Sequence, residues 1–409
     1  MADSTERPGT AWLLVVALAV AQVCSWGSIY YSFSLFVVPM ETELGWSRTA
    51  INGAIAVGLL VSGLCAYPAG RWIDAHGGRG LMAAGSAIAA VLLAAWSQIG
   101  SLPAFYAIWA GLGFAMAATL YEPVFAVLAH RFPNSYRSRI TALTLIGGFA
   151  STAFIPLTGF FIARLGWREA LLALALVNLM VCLPIHAIGL SDGGARQADR
   201  SDRSARHAAS SAAVRRALRY PVFWCLLVCF VAYYSTFSAL TFHVIPLLIE
   251  RGIPMTTIIA AVAVVGPAQV SGRLVVFALG RRVATATVGR IAVLGFPAAI
   301  LLLLAIPNSI PVVFGFAALY GTANGIMTIM RGTAVPDLLW REGYGAINGA
   351  LALPATLSQA AAPFVAALIW SRAGGYDAVL WVILAGSCLA ALGFWSAVAA
   401  SRRQAQSTA

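Results

Sequence analysis

Twelve stretches of this chain are long and apolar enough to cross a lipid bilayer, and that property decides most of its architecture. A hydrocarbon core about 30 Å thick takes roughly 20 apolar residues in a helix, against about ten in a barrel strand. Within lipid every backbone N–H and C=O has to be paired inside the protein, so only helices and closed barrels span it. The stretches are Ala11–Val38, Arg48–Arg71, Leu81–Gln98, Leu102–Leu128, Ile140–Ala163, Glu169–Leu190, Pro221–Ile249, Met255–Leu279, Val288–Ile306, Ile310–Met330, Gly345–Trp370 and Ala378–Ala400. Their lengths suit helices, the third being the shortest. Composition agrees: 60% of the 409 residues are apolar and 10% charged, where soluble domains carry about a quarter charged residues. The chain reads as an all-α polytopic membrane protein.

Orientation follows from arginine. The chain has no Lys, and its 26 basic residues are all Arg. Starting the chain in the cytoplasm puts nineteen of them on that side and five outside: Arg48, Arg164, Arg168, Arg251 and Arg372. Arg273 and Arg331 remain within or at the edge of spans. The positive-inside rule therefore predicts both termini in the cytoplasm. The net charge of +12 is mostly this topology signal and no nucleic-acid footprint, which needs arginines clustered on a soluble face. All six cysteines fall inside spans, so no disulfide framework is implied. The first span is too long for a signal-peptide core and reads as an uncleaved helix. Arg without Lys suggests a GC-rich genome, and short termini without organelle signals suggest a bacterial inner (plasma) membrane. The expected state is a monomer in the bilayer.

Residues 191–219 break the pattern, with seven Arg, three Asp and many Ala and Ser. This stretch reads as a solvated cytoplasmic linker, partly helical near Val214–Leu218. It separates a bundle at 1–190 from another at 220–409. The halves look alike. Span one ends in LFVVPM (Leu35–Met40) and span seven in FHVIPL (Phe242–Leu247). Aligning Phe132 with Trp340 sets LYEPVFAVL (Leu120–Leu128) against IMRGTAVPD (Ile329–Asp337), displaced by one residue. Glu122 and Arg331 then occupy nearly equivalent places. Two pseudo-symmetric six-helix bundles form the transporter architecture in which substrate sits near the midplane.

The segment GRWIDAHGGR (Gly70–Arg79), between spans two and three, resembles the loop signature of the major facilitator superfamily, G-x-x-x-D-x-x-G-x-[RK]. Gly70, Asp74, Gly77 and Arg79 match it. The corresponding loop after span eight, Gly280-Arg281-Arg282, is degenerate and lacks the acid. PMETELGWSRTAI (Pro39–Ile51) looks like the monocarboxylate and oxalate porter branches. Those branches carry a buried Arg in helix eight that receives a substrate carboxylate, and Arg273 stands at the matching place. Two family residues have no counterpart here: Gln269 replaces an Asp one turn before that Arg, and the Lys in helix eleven of oxalate exchangers is missing. The resemblance also implies that the loop, with Arg71 and Arg79 bridging neighbouring helices, latches the cytoplasmic gate without touching substrate.

Several residues can carry chemistry. A charge near mid-bilayer costs at least about 2.5–3.5 kcal/mol, so Arg273 is expected to face a partner or an aqueous cavity. Its fork matches a carboxylate, with Gln269 one turn earlier able to donate to the same ligand. Alternatively it snorkels: Gly280 is seven residues away, roughly 10 Å along a helix. Arg331 fits substrate contact or an ion pair with Asp337 or Glu342. Glu122 is the one acid well inside a span. Burial favours a neutral carboxyl and a neighbouring Arg a charged one, which suits proton coupling; a permanent salt bridge to Arg331, Arg137 or Arg139 is the structural alternative. On span seven Cys229, Tyr233, Thr236, Leu240 and His243 share one face, and an imidazole titrates near physiological pH. On span one Gln22, Trp26 and Tyr30 recur every fourth residue. Both stripes suit a cavity wall, or ordinary interhelical packing. Cys225 and Cys229, one turn apart, would capture a soft metalloid given a third thiol such as Cys24 or Cys65.

No phosphate-binding GxxxxGK[ST] or HExxH occurs, so neither ATP hydrolysis nor an enzyme site is expected, and no cofactor. The expected function is secondary active transport of a small organic anion, monocarboxylate-like, by alternating access. Arg273 would bind the carboxylate, with Gln269, Tyr30, Trp26, Tyr233, His243 and Arg331 around the substrate and Glu122 or His243 coupling the proton. The alternative is an efflux permease for a toxic metalloid or an amphiphilic compound. A transporter-like receptor is disfavoured, because the linker and tail offer no room for a signalling domain.

Overall fold

The computed structural model describes residues 8–190, 200–279, 282–306 and 309–407. Arg7, residues 191–199 of the linker, Gly280-Arg281 of the degenerate loop and the last two residues of the tail lie outside the described residues. The side chains of Arg48, Arg200, Arg203 and Arg206 do so as well. Among the described residues there is no strand, and twelve helices are long and apolar enough to cross a membrane. They are α1 (Ala11–Leu44), α2 (Thr49–His76), α3 (Arg79–Ser97), α4 (Leu102–Arg131), α5 (Tyr136–Leu165) and α6 (Trp167–Gly189). After the linker helix α7 (Arg200–Ala217) come α8 (Pro221–Glu250), α9 (Met255–Leu279), α10 (Ala286–Ala305), α11 (Ile310–Leu338), α12 (Tyr344–Ala373) and α13 (Tyr376–Gln404). The third, at 19 residues, is the shortest span.

By contacts the chain forms two compact units, one of Met1–Val214 with Glu342–Leu353, the other of Arg215–Arg341 with Pro354–Ala409. In the first unit the core gathers aromatic rings of α1, α3 and α4. The Trp96 ring lies 5.4 Å from that of Trp109, which meets Phe33 edge-on at 4.8 Å. Trp96 also donates to the Met40 sulfur at 3.4 Å. Glu43, in the last turn of α1, receives Trp167 Nε1 at 2.5 Å and Arg168 Nη2 at 2.9 Å from the start of α6. Arg168 further caps the carbonyls of Ser97 and Ile99 at 2.6 and 3.2 Å.

Over 208–217 one face of the linker helix is buried, where the sequence reads the segment as solvated. It is helical from Arg200, and Ser210, Ala213, Val214 and Ala217 are buried. Their spacing is one helix face. Its residues are too small for hydropathy to register, yet small residues let a helix lie close on its neighbours.

In the second unit α9 and α11 pass with backbones in contact. Gly321 and Gly325 form a G-x-x-x-G on α11, and a Cβ at Gly325 would collide with the carbonyl of Gln269. A Cβ on Gly272 of α9 would meet the carbonyl of Thr322. Small residues at such crossings allow the van der Waals packing that drives helix association in lipid. We expect Gly325→Val to cut the yield of folded protein and lower its melting temperature, since overpacking costs about 1–3 kcal/mol or more. Gly266→Val, where a Cβ meets nothing within 4 Å, serves as the control. Equal melting curves for the two variants would refute the close crossing.

The second unit repeats the clamp of the first. With Pro246 aligned to Pro39, Glu250 is the counterpart of Glu43. It accepts Tyr376 N and Trp370 Nε1, both at 2.8 Å, at the start of the last helix and the end of α12. Arg251 binds Asp377 at 2.7 Å and the carbonyl of Leu303 at 2.5 Å. In each unit the first helix thus ends on a glutamate that holds the start of the sixth, which supports the internal duplication.

Candidate functional site

In the first unit the candidate residues sit where two helices depart from regular geometry. Pro123 in α4 has no N–H and crowds the carbonyl four residues back, Thr119 O. The helix breaks there: Leu120 is extended (φ −79°, ψ −155°) between the helical segments Leu102–Thr119 and Tyr121–Arg131. The freed carbonyl of Thr119 accepts the Gln22 amide of α1 at 2.6 Å. Irregular backbone within a membrane requires such a substitute partner. Glu122 lies in the first turn of the second segment, where the helix dipole favours a carboxylate.

Opposite the break, α1 winds one residue wide from Trp26 to Tyr31. The Ser32 N–H and hydroxyl both reach Gly27 O, at 3.0 and 2.7 Å, and the hydroxyl also pairs with Thr158 at 2.7 Å. Such π-turns recur at functional positions. Here it groups Trp26, Tyr30 and Tyr31, with Trp26 5.2 Å from the ring of Tyr121 and 5.4 Å from that of Tyr30. Trp26 Nε1 is buried with no hydrogen-bond partner among the described residues.

In the second unit Arg273 is 4% exposed. Its Nη2 lies 3.4 Å from Gln269 Oε1, so the side chain runs toward the N-terminus of α9. That is the ordinary lean of a helical side chain, and it is opposite to the direction needed to snorkel past Gly280. The backbone of Gln269 rests on Gly325, which brings the level of the guanidinium to that of Asn324. Asn324, 4% exposed, accepts the hydroxyl of Tyr233. Tyr233, Phe296 and Tyr320 continue as a ring cluster with centroids 5.4 and 5.6 Å apart. The Tyr320 hydroxyl is buried without a partner among the described residues. Arg331 stacks its guanidinium on Tyr234, 4.8 Å from the ring centre.

The face of α8 carrying Cys229, Tyr233, Thr236, Leu240 and His243 divides between neighbours. Cys229 and Thr236 pack on Gly393 and Gly386 of α13, whereas Tyr233 turns to α10 and α11. His243 has both ring nitrogens engaged, Nδ1 with the Tyr376 hydroxyl at 3.0 Å and Nε2 with the carbonyl of Pro363 at 2.9 Å. In the first unit the Cys182 thiol accepts the Ser25 hydroxyl at 3.5 Å and donates to the carbonyl of Ala21 at 3.7 Å. No group of three or more His, Cys, Asp or Glu able to hold a metal ion occurs among the described residues.

The loop signature forms a compact bonded cluster. Gly77 takes a positive φ of 76° and ends the helix that carries Asp74. Asp74 Oδ1 accepts Gly345 N at 3.0 Å and lies 3.2 Å from His130 Nε2. Its Oδ2 accepts Ala346 N at 3.0 Å and the Ser210 hydroxyl of α7 at 2.7 Å. Asp74 therefore caps the first turn of α12 as an N-cap residue would, from another helix. Gly70 belongs to the same contact, because a Cβ there would strike the carbonyl of Gly345. Arg71 lies over the Tyr67 ring at 5.8 Å, and Arg79 opens α3. Sequence reasoning missed Ser210, His130, Gln22 and Asn324 as partners in these clusters. Of these, only Gln22 carried a signal, through Pro123 and the carbonyl it must free.

The comparisons agree with this architecture. A family model described as Major Facilitator Superfamily matches residues 18–350. An oxalate:formate antiporter of Oxalobacter formigenes is 28% identical over 159 residues, 38% of this chain and 37% of that protein. Among solved structures, the fucose:proton symporter of E. coli superposes with a TM-score of 0.72 at 14% identity, covering 95% of this chain and 97% of that one. The human organic anion transporter MFSD10 gives 0.67 at 18% identity, covering 95% and 99%. Twelve spans, the loop cluster at Asp74 and a family match over most of the length lead to one assignment: the chain is a multi-pass membrane protein and belongs to the major facilitator superfamily.

Proposed function

We propose that the protein is a secondary active transporter of a small, monocarboxylate-like organic anion, proton-coupled and working by alternating access. We place it in a bacterial inner membrane with both termini cytoplasmic. The observation that carries the reading is Arg273, a guanidinium 4% exposed in a membrane span and turned along its helix onto Gln269. A planar fork held there matches a carboxylate. The oxalate:formate antiporter, which this chain resembles over part of its length, points to the same substrate class. In the second unit Gln269 and Tyr233 orient the bound acid; within the first unit Trp26 and Tyr30 are the candidate substrate contacts. Trp26 Nε1 and the Tyr320 hydroxyl are buried donors of the kind a polar ligand satisfies, because an unpaired one costs about 1–3 kcal/mol. Arg331 contributes positive potential, and the cluster around Asp74 controls the gate without meeting substrate.

Glu122 couples the proton; His243, already engaged at both nitrogens, is the weaker candidate. Flux of labelled acids into proteoliposomes tests the whole reading, with an imposed pH gradient supplying the driving force. Glu122→Gln is expected to abolish proton-driven accumulation while acid-for-acid exchange persists, because an amide matches the carboxyl group in shape but neither takes up nor releases a proton. Full accumulation by this variant would remove Glu122 from the coupling step. Export of a metalloid on Cys225 and Cys229 draws no support, since no third ligand joins them among the described residues.

A further inference from the structure

A cavity of about 590 Å³ opens in the second unit between α8, α12 and α13. Its walls are side chains of Leu, Val, Ile and Ala, with three hydroxyls and a glycine. Each hydroxyl is already bound to a helix carbonyl. Ser235 donates to Val231 O at 2.8 Å, Thr236 to Tyr233 O at 2.9 Å, and Ser358 to Ala355 O at 2.8 Å. The site offers no charge and no free polar group, so a carboxylic acid would gain nothing there. Val228, Val365, Val382 and Leu389 line it yet stay exposed, so it opens on the surface of the unit.

Its dimensions choose among apolar occupants. Along α13 it runs from Val379 to Leu389, about 15 Å at 1.5 Å per residue, which is half of a hydrocarbon core about 30 Å thick. On α12 it likewise takes the half nearest the α12–α13 connection, from Ser358 to Ile369. Trp370 and Tyr376, rings 5.9 Å apart, stand at that end. Trp and Tyr mark the membrane–water interface. On α12 and α13 the lining thus lies in the half next to that interface, whereas on α8 it runs from Ala239 to Leu227, past the middle of the helix. Arg372, exposed one turn beyond Ile369, offers a cation at the level of a phosphate.

We infer that this groove holds one acyl chain of a phospholipid from the leaflet on the α12–α13 side, with its phosphate beside Arg372. The chain fills the space between α8, α12 and α13 and supports α12 against its unit. This does not rest on the substrate reading, and the two fail separately.

The test reconstitutes the full protein with a phosphatidylglycerol carrying a diazirine midway along one acyl chain, followed by irradiation and mapping of adducts by mass spectrometry. Peptides of α8, α12 and α13 that line the groove should carry severalfold more adduct than the exposed face of α10 at Ile291, Leu294 and Leu301. Ala232→Phe fills the groove and should remove its adducts while leaving those on α10 unchanged. Should that variant fail to fold, Val365→Trp, at a position 46% exposed, narrows the mouth from the surface and should give the same loss. Equal labelling of groove and α10, labelling that survives both substitutions, or displacement of the label by a transported acid would each overturn the inference.

Discussion

Replacing Arg273 with alanine is expected to abolish saturable uptake of carboxylic acids, whereas the purified variant still folds and inserts. Truncating one partner of a buried, hydrogen-bonded charge pair costs about 2–5 kcal/mol, which is roughly a 30- to 4,000-fold loss of affinity. Arg273→Lys keeps the charge and loses the fork, so its loss should be smaller but still large, because an ammonium binds as a point charge. The readouts are initial rates over a range of acid concentrations and thermal shifts of purified protein with and without ligand. A ligand that stabilises the native protein should leave the melting temperature of Arg273→Ala unmoved. If the alanine variant transports acids at the native rate, the guanidinium serves packing alone and the anion assignment falls.

The second large effect is expected at Asp74. Both its oxygens are committed: to the amides of Gly345 and Ala346, to the Ser210 hydroxyl and to the His130 ring. Asp74→Ala leaves those amides uncapped and partly buried, at a cost of at least about 2 kcal/mol. Amide exchange through local opening of the first turn of α12 should then speed up roughly 30-fold, with transport falling alongside. Asp74→Asn retains one acceptor and should lie between the two. Ser210→Ala removes a single donor and should accelerate exchange only slightly. Hydrogen–deuterium exchange over residues 343–353 measures all three. Unchanged exchange in Asp74→Ala would mean that the cap does not hold α12 in the membrane.

Beyond these tests, the two clusters differ in how far residue patterns foretold them. Arg273 was legible as a candidate because a guanidinium in an apolar span either meets a partner or reaches the interface, and the structure buries it. The loop at Asp74 was legible by likeness to a family signature, but its partners were not. Gly345 and Ala346 lie 271 and 272 positions away in the chain, and nothing in their types marks them. Ser210 was hidden in a segment read as solvated, since its buried face is made of residues too small to raise hydropathy. The stripe on α8 shows the reverse. A four-residue spacing put Cys229, Tyr233 and His243 on one face, but neighbouring helices sort that face, and His243 lies against Tyr376 and Pro363 instead of beside Asn324.

The sequence by itself determined the number of spans, their helical form and the two-fold repetition, because lipid leaves an unpaired backbone no alternative and each apolar run must satisfy itself. For the lone cation in span eight it left two courses open, a partner within the protein or reach to the interface. Only the tertiary structure decided which side chains meet: Gln22 on the carbonyl freed by Pro123, Glu43 and Glu250 on the starts of their sixth helices, Asp74 on the first turn of α12. Hydropathy and charge act on each residue where it stands, whereas a contact depends on where two helices cross and how each is rotated about its axis. Those angles are set by glycines and side-chain shapes from all the neighbours at once.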